Sequence, residues 1–214
     1  MFRLLTAGAA ALAAVAIAAP AQAGPRPEPT PDQRMTIRVV NANGSGCPDG
    51  TTKIAVSPDN TAFTLTYSDY TAQVGPKATP LDFRKNCQLA LDVKVPTGFT
   101  FAIASADYRG YASLARGAWA QESANYYFQG HSRTTRFEHT LKGPFDDDWQ
   151  RGDRVGIASL SYLPCGERRF LNINTDLRVN RGSSDARTQT SFISMDSTDA
   201  AINTVYHVAW RKCA

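Results

Sequence analysis

The chain has 214 residues, and its 23 lysines and arginines against 19 aspartates and glutamates leave a formal net charge of +4. That surplus is too small and too scattered for a nucleic-acid binder, whose basic residues cluster in stripes. Arg168-Arg169 and Arg178 with Arg181 are offset by Glu167, Asp176 and Asp185, and read as solvated faces.

The first element is an export signal. Met1-Phe2-Arg3 carries one positive charge, Leu4 to Ala19 is almost wholly apolar, Pro20 ends the run, and Ala21-Gln22-Ala23 offers small side chains at a cleavage site. Residues 1–23 are therefore expected to leave, and no later apolar stretch approaches the ~20 residues a membrane-crossing helix needs. Residues 24–35 alternate proline with polar side chains and read as an extended leader. Residues 36–214 then form one domain of ample size for a core.

From Thr36 onward the dominant period is two. Phe63, Leu65 and Tyr67 alternate with threonines, and Leu89, Leu91, Val93 and Val95 follow the same rule. Phe99, Phe101 and Ile103 come after Pro96-Thr97-Gly98, which predicts a hairpin between the last two runs. Strands are also expected over 135–141, 154–162, 170–179 and 204–210, each bounded by turn-forming residues. Helical periodicity is missing throughout, although Ala112 to Ala120 has the composition for one helical turn. Short, evenly spaced strands point to an all-β antiparallel β-sandwich, jelly-roll-like, with a barrel as the alternative.

All four cysteines, Cys47, Cys87, Cys165 and Cys213, follow the cleavage site, so an oxidising compartment makes disulfides the expected state. Of three possible connectivities, Cys47–Cys87 with Cys165–Cys213 keeps each bridge within its own half of the chain. Zinc is disfavoured because neither Cys-x-x-Cys nor a histidine at ligand spacing occurs.

Read together, Gly44-Ser45-Gly46-Cys47-Pro48, Ser68-Asp69-Tyr70, Lys85-Asn86-Cys87-Gln88-Leu89, Asp107-Tyr108-Arg109-Gly110, Gly143-Pro144, Cys165-Gly166, Leu171-Asn172-Ile173-Asn174-Thr175, Asp196-Ser197-Thr198-Asp199 and Trp210-Arg211-Lys212-Cys213 resemble secreted bacterial and fungal proteins grouped as domain of unknown function 4360. The resemblance spans almost the whole domain and implies a secreted, cysteine-bonded fold. It assigns no activity to any residue.

Three clusters carry candidate chemistry. Asp146, Asp147 and Asp148, read as an acidic turn between aromatics, are candidate calcium ligands with Asp196 and Asp199, since a hard cation relieves carboxylate repulsion. No other cofactor is suggested, and a plain exposed turn is the competing reading. Glu122, Glu138 and Glu167 are the only glutamates after the leader. A polysaccharide hydrolase would need one of them, Glu122 with Asp107 or Glu138 with an aspartate, facing a second carboxyl. His131, His139 and His207 are scattered and show no nucleophile motif.

The aromatics suggest a different class of function. Tyr108, Arg109, Tyr127 and Trp149 sit in polar, Gly-rich surroundings, and aromatic rings stack on the apolar faces of sugars while polar neighbours fix the hydroxyls. Core packing is the competing reading for each ring. A secreted, non-catalytic domain binding an extracellular polysaccharide or a surface protein is the first expectation. A hydrolase and a calcium-stabilised wall protein are the alternatives. Asn43-Gly44-Ser45 is in addition a glycosylation sequon by pattern.

Overall fold

Strands with one apolar face must bury it against something, and this chain does so by packing two antiparallel sheets face to face. The computed structural model describes residues 30–131, 135–156, 159–195 and 203–213. Its strands are β1 (Thr36–Asn43), β2 (Thr52–Val56), β3 (Ala62–Tyr67), β4 (Thr71–Val74), β5 (Arg84–Lys94), β6 (Phe99–Leu114), β7 (Trp119–Phe128), β8 (Thr135–Lys142), β9 (Phe145–Arg154), β10 (Leu171–Asn180), β11 (Ser191–Ser194) and β12 (Thr204–Lys212). The first sheet runs β1-β5-β10-β7-β8. In the second, β6 pairs with β9 along one edge; along the other it pairs first with β12 and then, further on, with β11. β3 and β2 extend the sheet beyond β12, and β4 extends it beyond β11.

The core lies between the sheets, where Phe101 meets Phe128 edge-on at 5.2 Å and Tyr126 meets Tyr206 at 6.2 Å. Cys47–Cys87 and Cys165–Cys213 are both formed, the pairing expected from their positions. Among the described residues no helix is long and apolar enough to cross a membrane.

Three local expectations are corrected. Pro96-Thr97-Gly98 is a turn, but it carries the chain from one sheet to the other instead of closing a hairpin, because β5 pairs with β1 and β10 while β6 pairs with β12 and β9. Period two says that a segment is a strand; it does not say which strand it pairs with. Ala112 to Ala120 holds no helical turn: Ala112 to Leu114 end β6, Ala118 N–H donates to the Ala115 carbonyl at 3.0 Å, and β7 starts at Trp119. The strand expected over 154–162 is not formed: Arg154 ends β9, and the described residues from Val155 to Tyr162 form no strand. Val155 N–H donates to Ala104 (2.9 Å) and Leu163 N–H to Phe101 (3.1 Å), isolated bonds that do not continue as a ladder.

The end of the proline-rich segment is tied to the fold by Asn60, 2% exposed and in the left-handed region at φ 59°. Its side-chain oxygen accepts from Met35 N–H (3.0 Å), its amide donates to the Gln33 carbonyl (3.2 Å), and its backbone carbonyl accepts from the Trp210 indole N–H (2.7 Å). Asn60→Ala removes the first two bonds and places a Cβ residue that tolerates this φ less well than asparagine. It is expected to cost about 3 kcal/mol, read as a lowered midpoint in urea with unchanged slope.

Candidate functional site

The central strand of the five-stranded sheet reads Leu171-Asn172-Ile173-Asn174-Thr175-Asp176-Leu177-Arg178-Val179-Asn180. Its odd-numbered side chains are buried between the sheets, so Asn172, Asn174, Asp176, Arg178 and Asn180 point outward. Strand pairing sets matching residues beside them. Asn43, Gln88, Asn174 and Asn125 form one row across β1, β5, β10 and β7. Asn86, Asp176 and Ser123 form the next row, and Arg84, Arg178 and Gln121 the one after. On the other side of the amide row lie Ala90, Asn172 and Tyr127.

Asparagine is depleted from strands because it neither packs well nor favours extended backbone. Here it recurs on a central strand at positions that contribute nothing to the core. Among the described residues, the side chains of Gln88, Asn125, Asn172 and Asn174 make no hydrogen bond to protein. Each free amide offers two donors and a two-lone-pair acceptor. Charges on the same face are mostly paired off: Arg84 Nε donates to Asp176 (2.6 Å), and Arg136 donates to Glu138 (2.8 Å) and to the Ser123 hydroxyl (2.9 Å).

Two aromatic rings bracket the amides. Tyr127 and Trp119 both point outward from β7, each half-buried, and lie eight residues apart, roughly 26 Å along a strand. The free amides gather in two rows at the Tyr127 end, and hydroxyl and charged side chains lead from them to Trp119, so a linear polymer with hydroxyls and apolar ring faces, laid lengthwise, would meet both rings and the polar groups between them.

Of the four aromatic and arginine candidates picked from sequence, Tyr127 alone lies on this face. Tyr108 points between the sheets at 0% exposure, and Trp149, at 3%, lies against Gly110, where a Cβ would come within 2.7 Å of the indole. Both rings are inaccessible for stacking. Arg109 is exposed, but on the outer face of the other sheet.

Asp146, Asp147 and Asp148 occupy strand β9 rather than a turn, so their side chains alternate in direction. Asp146 accepts from the Tyr111 hydroxyl at 2.9 Å, and Asp147 accepts from Asp148 N–H at 2.8 Å. No group of three His, Cys, Asp or Glu suited to a metal occurs among the described residues. Asp196 and Asp199 lie outside those residues. Nor are Glu122 and Asp107 brought together: Glu122 is inside the sandwich, whereas Asp107 is on the outer face beside His207 (3.0 Å). Glu138 is on the amide face.

The interior holds a polar centre that sequence reasoning did not foresee. Glu122 is 0% exposed, and neither carboxylate oxygen has a hydrogen-bond partner among the described residues. Opposite, Asp153 at 1% exposure accepts from the Tyr108 hydroxyl (2.8 Å) and pairs with His139 Nε2 (2.7 Å), joining β6 and β9 of one sheet to β8 of the other. The Tyr67, Tyr126 and Tyr206 hydroxyls are also buried without hydrogen-bond partners among the described residues. Burial pushes the Glu122 carboxyl well above its ordinary range, with Asp153 adding repulsion, and burial raises Asp153 against the pull of His139 and Tyr108. Being enclosed, this centre has no route for a polymer.

The alternation Asn-x-Asn-x-Asp-x-Arg-x-Asn was the available signal for the outer face; it reads as a strand whose solvent side is unusually rich in amides. An "Uncharacterized secreted protein" of Arthroderma benhamiae is 38% identical over 174 residues, covering 81% of this chain and 70% of the relative. The protein is secreted, as that relative and the two disulfides indicate. The family described as a domain of unknown function, DUF4360, matches residues 33–213, and the chain belongs to that family.

Proposed function

We propose that the protein is a non-catalytic binder of an extracellular polysaccharide, held lengthwise on the outer face of the five-stranded sheet. The observation that carries this reading is the row Asn43, Gln88, Asn174 and Asn125, in which Gln88, Asn174 and Asn125 stand on adjacent strands with amides uncommitted to protein partners. Sugar hydroxyls need donors and acceptors together, which amides supply and carboxylates or ammonium groups do not. Tyr127 and Trp119 add stacking surface, and secretion brings the face to walls and environmental polymers.

The test is affinity electrophoresis and calorimetry of the oxidised chain against a panel of neutral and acidic polysaccharides. Tyr127→Ala and Trp119→Ala are each expected to weaken binding about tenfold, ~1.4 kcal/mol, and Asn174→Ala by a similar factor. All three side chains point away from the core, so thermal midpoints should not move. Absence of binding across the panel, or binding indifferent to all three variants, would overturn the reading.

A further inference from the structure

One end of the amide face is built differently from the rest. Arg178 on β10 and Arg84 on β5 are registered directly opposite each other and point outward together. Like charges in that position destabilise a sheet. Arg84 is relieved by Asp176, and Arg136 is relieved by Glu138 and Ser123. Among the described residues no carboxylate or other acceptor serves Arg178, and its Nε is buried without a partner. The cross-strand neighbour of Arg178 on β7 is Gln121, whose amide points toward Glu138 (3.4 Å). In the row beyond, Trp119 stands beside Asn180 and Lys142. Three guanidiniums and the exposed Lys142 ammonium therefore face two carboxylates, Asp176 and Glu138, and of the cations left over the half-buried one is the fork of Arg178, next to a stacking ring.

A guanidinium left in that state is unfavourable unless an anion completes it. Nε itself is out of a ligand's reach, but the two terminal nitrogens of Arg178 are not buried and have no protein acceptor among the described residues; the planar fork offers a carboxylate two parallel N–H···O bonds end-on, and one such fork balances one carboxylate. We infer that the polysaccharide bound on this face is a uronic-acid polymer, with a ring carboxylate seated on Arg178 beside Arg84 and its sugar ring against Trp119. This rests on the polysaccharide-binding reading above and specifies its substrate class.

The experiment compares four probes on the oxidised full chain: polygalacturonate, its fully methyl-esterified form, a neutral galactan and a sulfated galactan. Polygalacturonate should bind about tenfold more tightly than its ester, with a preference that shrinks in high salt. Arg178→Gln should abolish that preference while leaving ester binding intact, and Arg178→Lys should restore only part of it, since the charge remains and the fork is lost. Removing one of two opposed cations should leave thermal stability unchanged or raised, which separates the effect from misfolding. Equal binding of acid and ester, or an Arg178→Gln variant that weakens both alike, would overturn the carboxylate assignment and leave polysaccharide binding standing. Preference for the sulfated galactan over polygalacturonate would also overturn it. Failure to bind any of the four overturns the uronic-acid assignment, and failure across the wider panel of neutral and acidic polysaccharides removes the polysaccharide reading with it.

Discussion

Glu122→Gln is expected to be more stable than the parent chain at neutral and alkaline pH, by a margin that widens by up to about 1.4 kcal/mol per pH unit. Glu122 has no exposed surface and no hydrogen-bond partner among the described residues, and burial raises its carboxyl well above the ordinary 4.5. The folded chain therefore holds a proton that the unfolded chain releases once pH passes that ordinary value. Stability is complete below it and declines as pH rises toward the folded-state value. The charges around this carboxyl, inside the sandwich and across the sheet, oppose its charge more than they support it. Asp153 on β9 and Asp176 on β10 repel the anion, Arg136 on β8 attracts it, and the phenols of Tyr67, Tyr70, Tyr108 and Tyr206 are themselves pushed up by burial and by Glu122. His139, directly across from Glu122 on β8, spends its Nε2 on Asp153.

On the acid side the sign reverses. Asp92, 2% exposed, is held at about 2 by hydrogen bonds from Arg168 and then Arg38, so its contribution is present above the ordinary 3.8 and is lost as pH falls toward 2. Together these place the optimum of the parent chain on the acid side of neutrality. Thermal midpoints from pH 3 to 9 check both statements: the curve of the Gln variant should lose the alkaline decline and keep the acid one. Parallel curves would mean that Glu122 does not set the alkaline limb.

What the sequence made legible follows from how local each feature is. Alternation along Phe63 to Tyr67, Leu89 to Val95 and Leu171 to Val179 is a property of each segment, so strands and an all-β class could be read directly. The even cysteine count and their placement led to the bridges that are observed. Partner choice is not local: nothing in Pro96-Thr97-Gly98 says that β5 and β6 part into different sheets. The same gap explains the candidate site. Tyr108 and Trp149 looked accessible because their neighbours are polar, yet their own positions fall on the inward phase of β6 and β9. Asn43, Gln88, Asn174 and Asn125 span more than a hundred residues of sequence and become a row only through three strand pairings. Glu122 and Asp153 approach only because the two sheets close on each other.

Removing Cys47–Cys87 as Cys47→Ala/Cys87→Ala is expected to cost about 4 kcal/mol, a large share of the stability of a domain this size. The bridge closes a separation of 40 residues, and the chain-entropy model assigns about 4 kcal/mol to such a loop. Cys165–Cys213, at a separation of 48, carries nearly the same entropic value, so on that term alone the two bridges are equivalent. Their surroundings are not. Cys47 and Cys87 are both fully buried, behind a loop in which Gly46 N–H donates to the Asn86 carbonyl (2.8 Å) and a Cβ on Gly46 would come within 2.1 Å of the Tyr70 ring. Cys165, by contrast, is exposed. Thiol–disulfide exchange requires a thiolate to reach sulfur, so access decides the order of reduction. In mild reductant under native conditions Cys165–Cys213 should open first, while Cys47–Cys87 persists until the sheets separate. Alkylation followed by mass spectrometry reads this as two modified cysteines, at 165 and 213, well before four. Simultaneous loss of both bridges would show that the loop at Gly44 to Cys47 opens without unfolding and that Cys47–Cys87 is no better protected than the surface bridge.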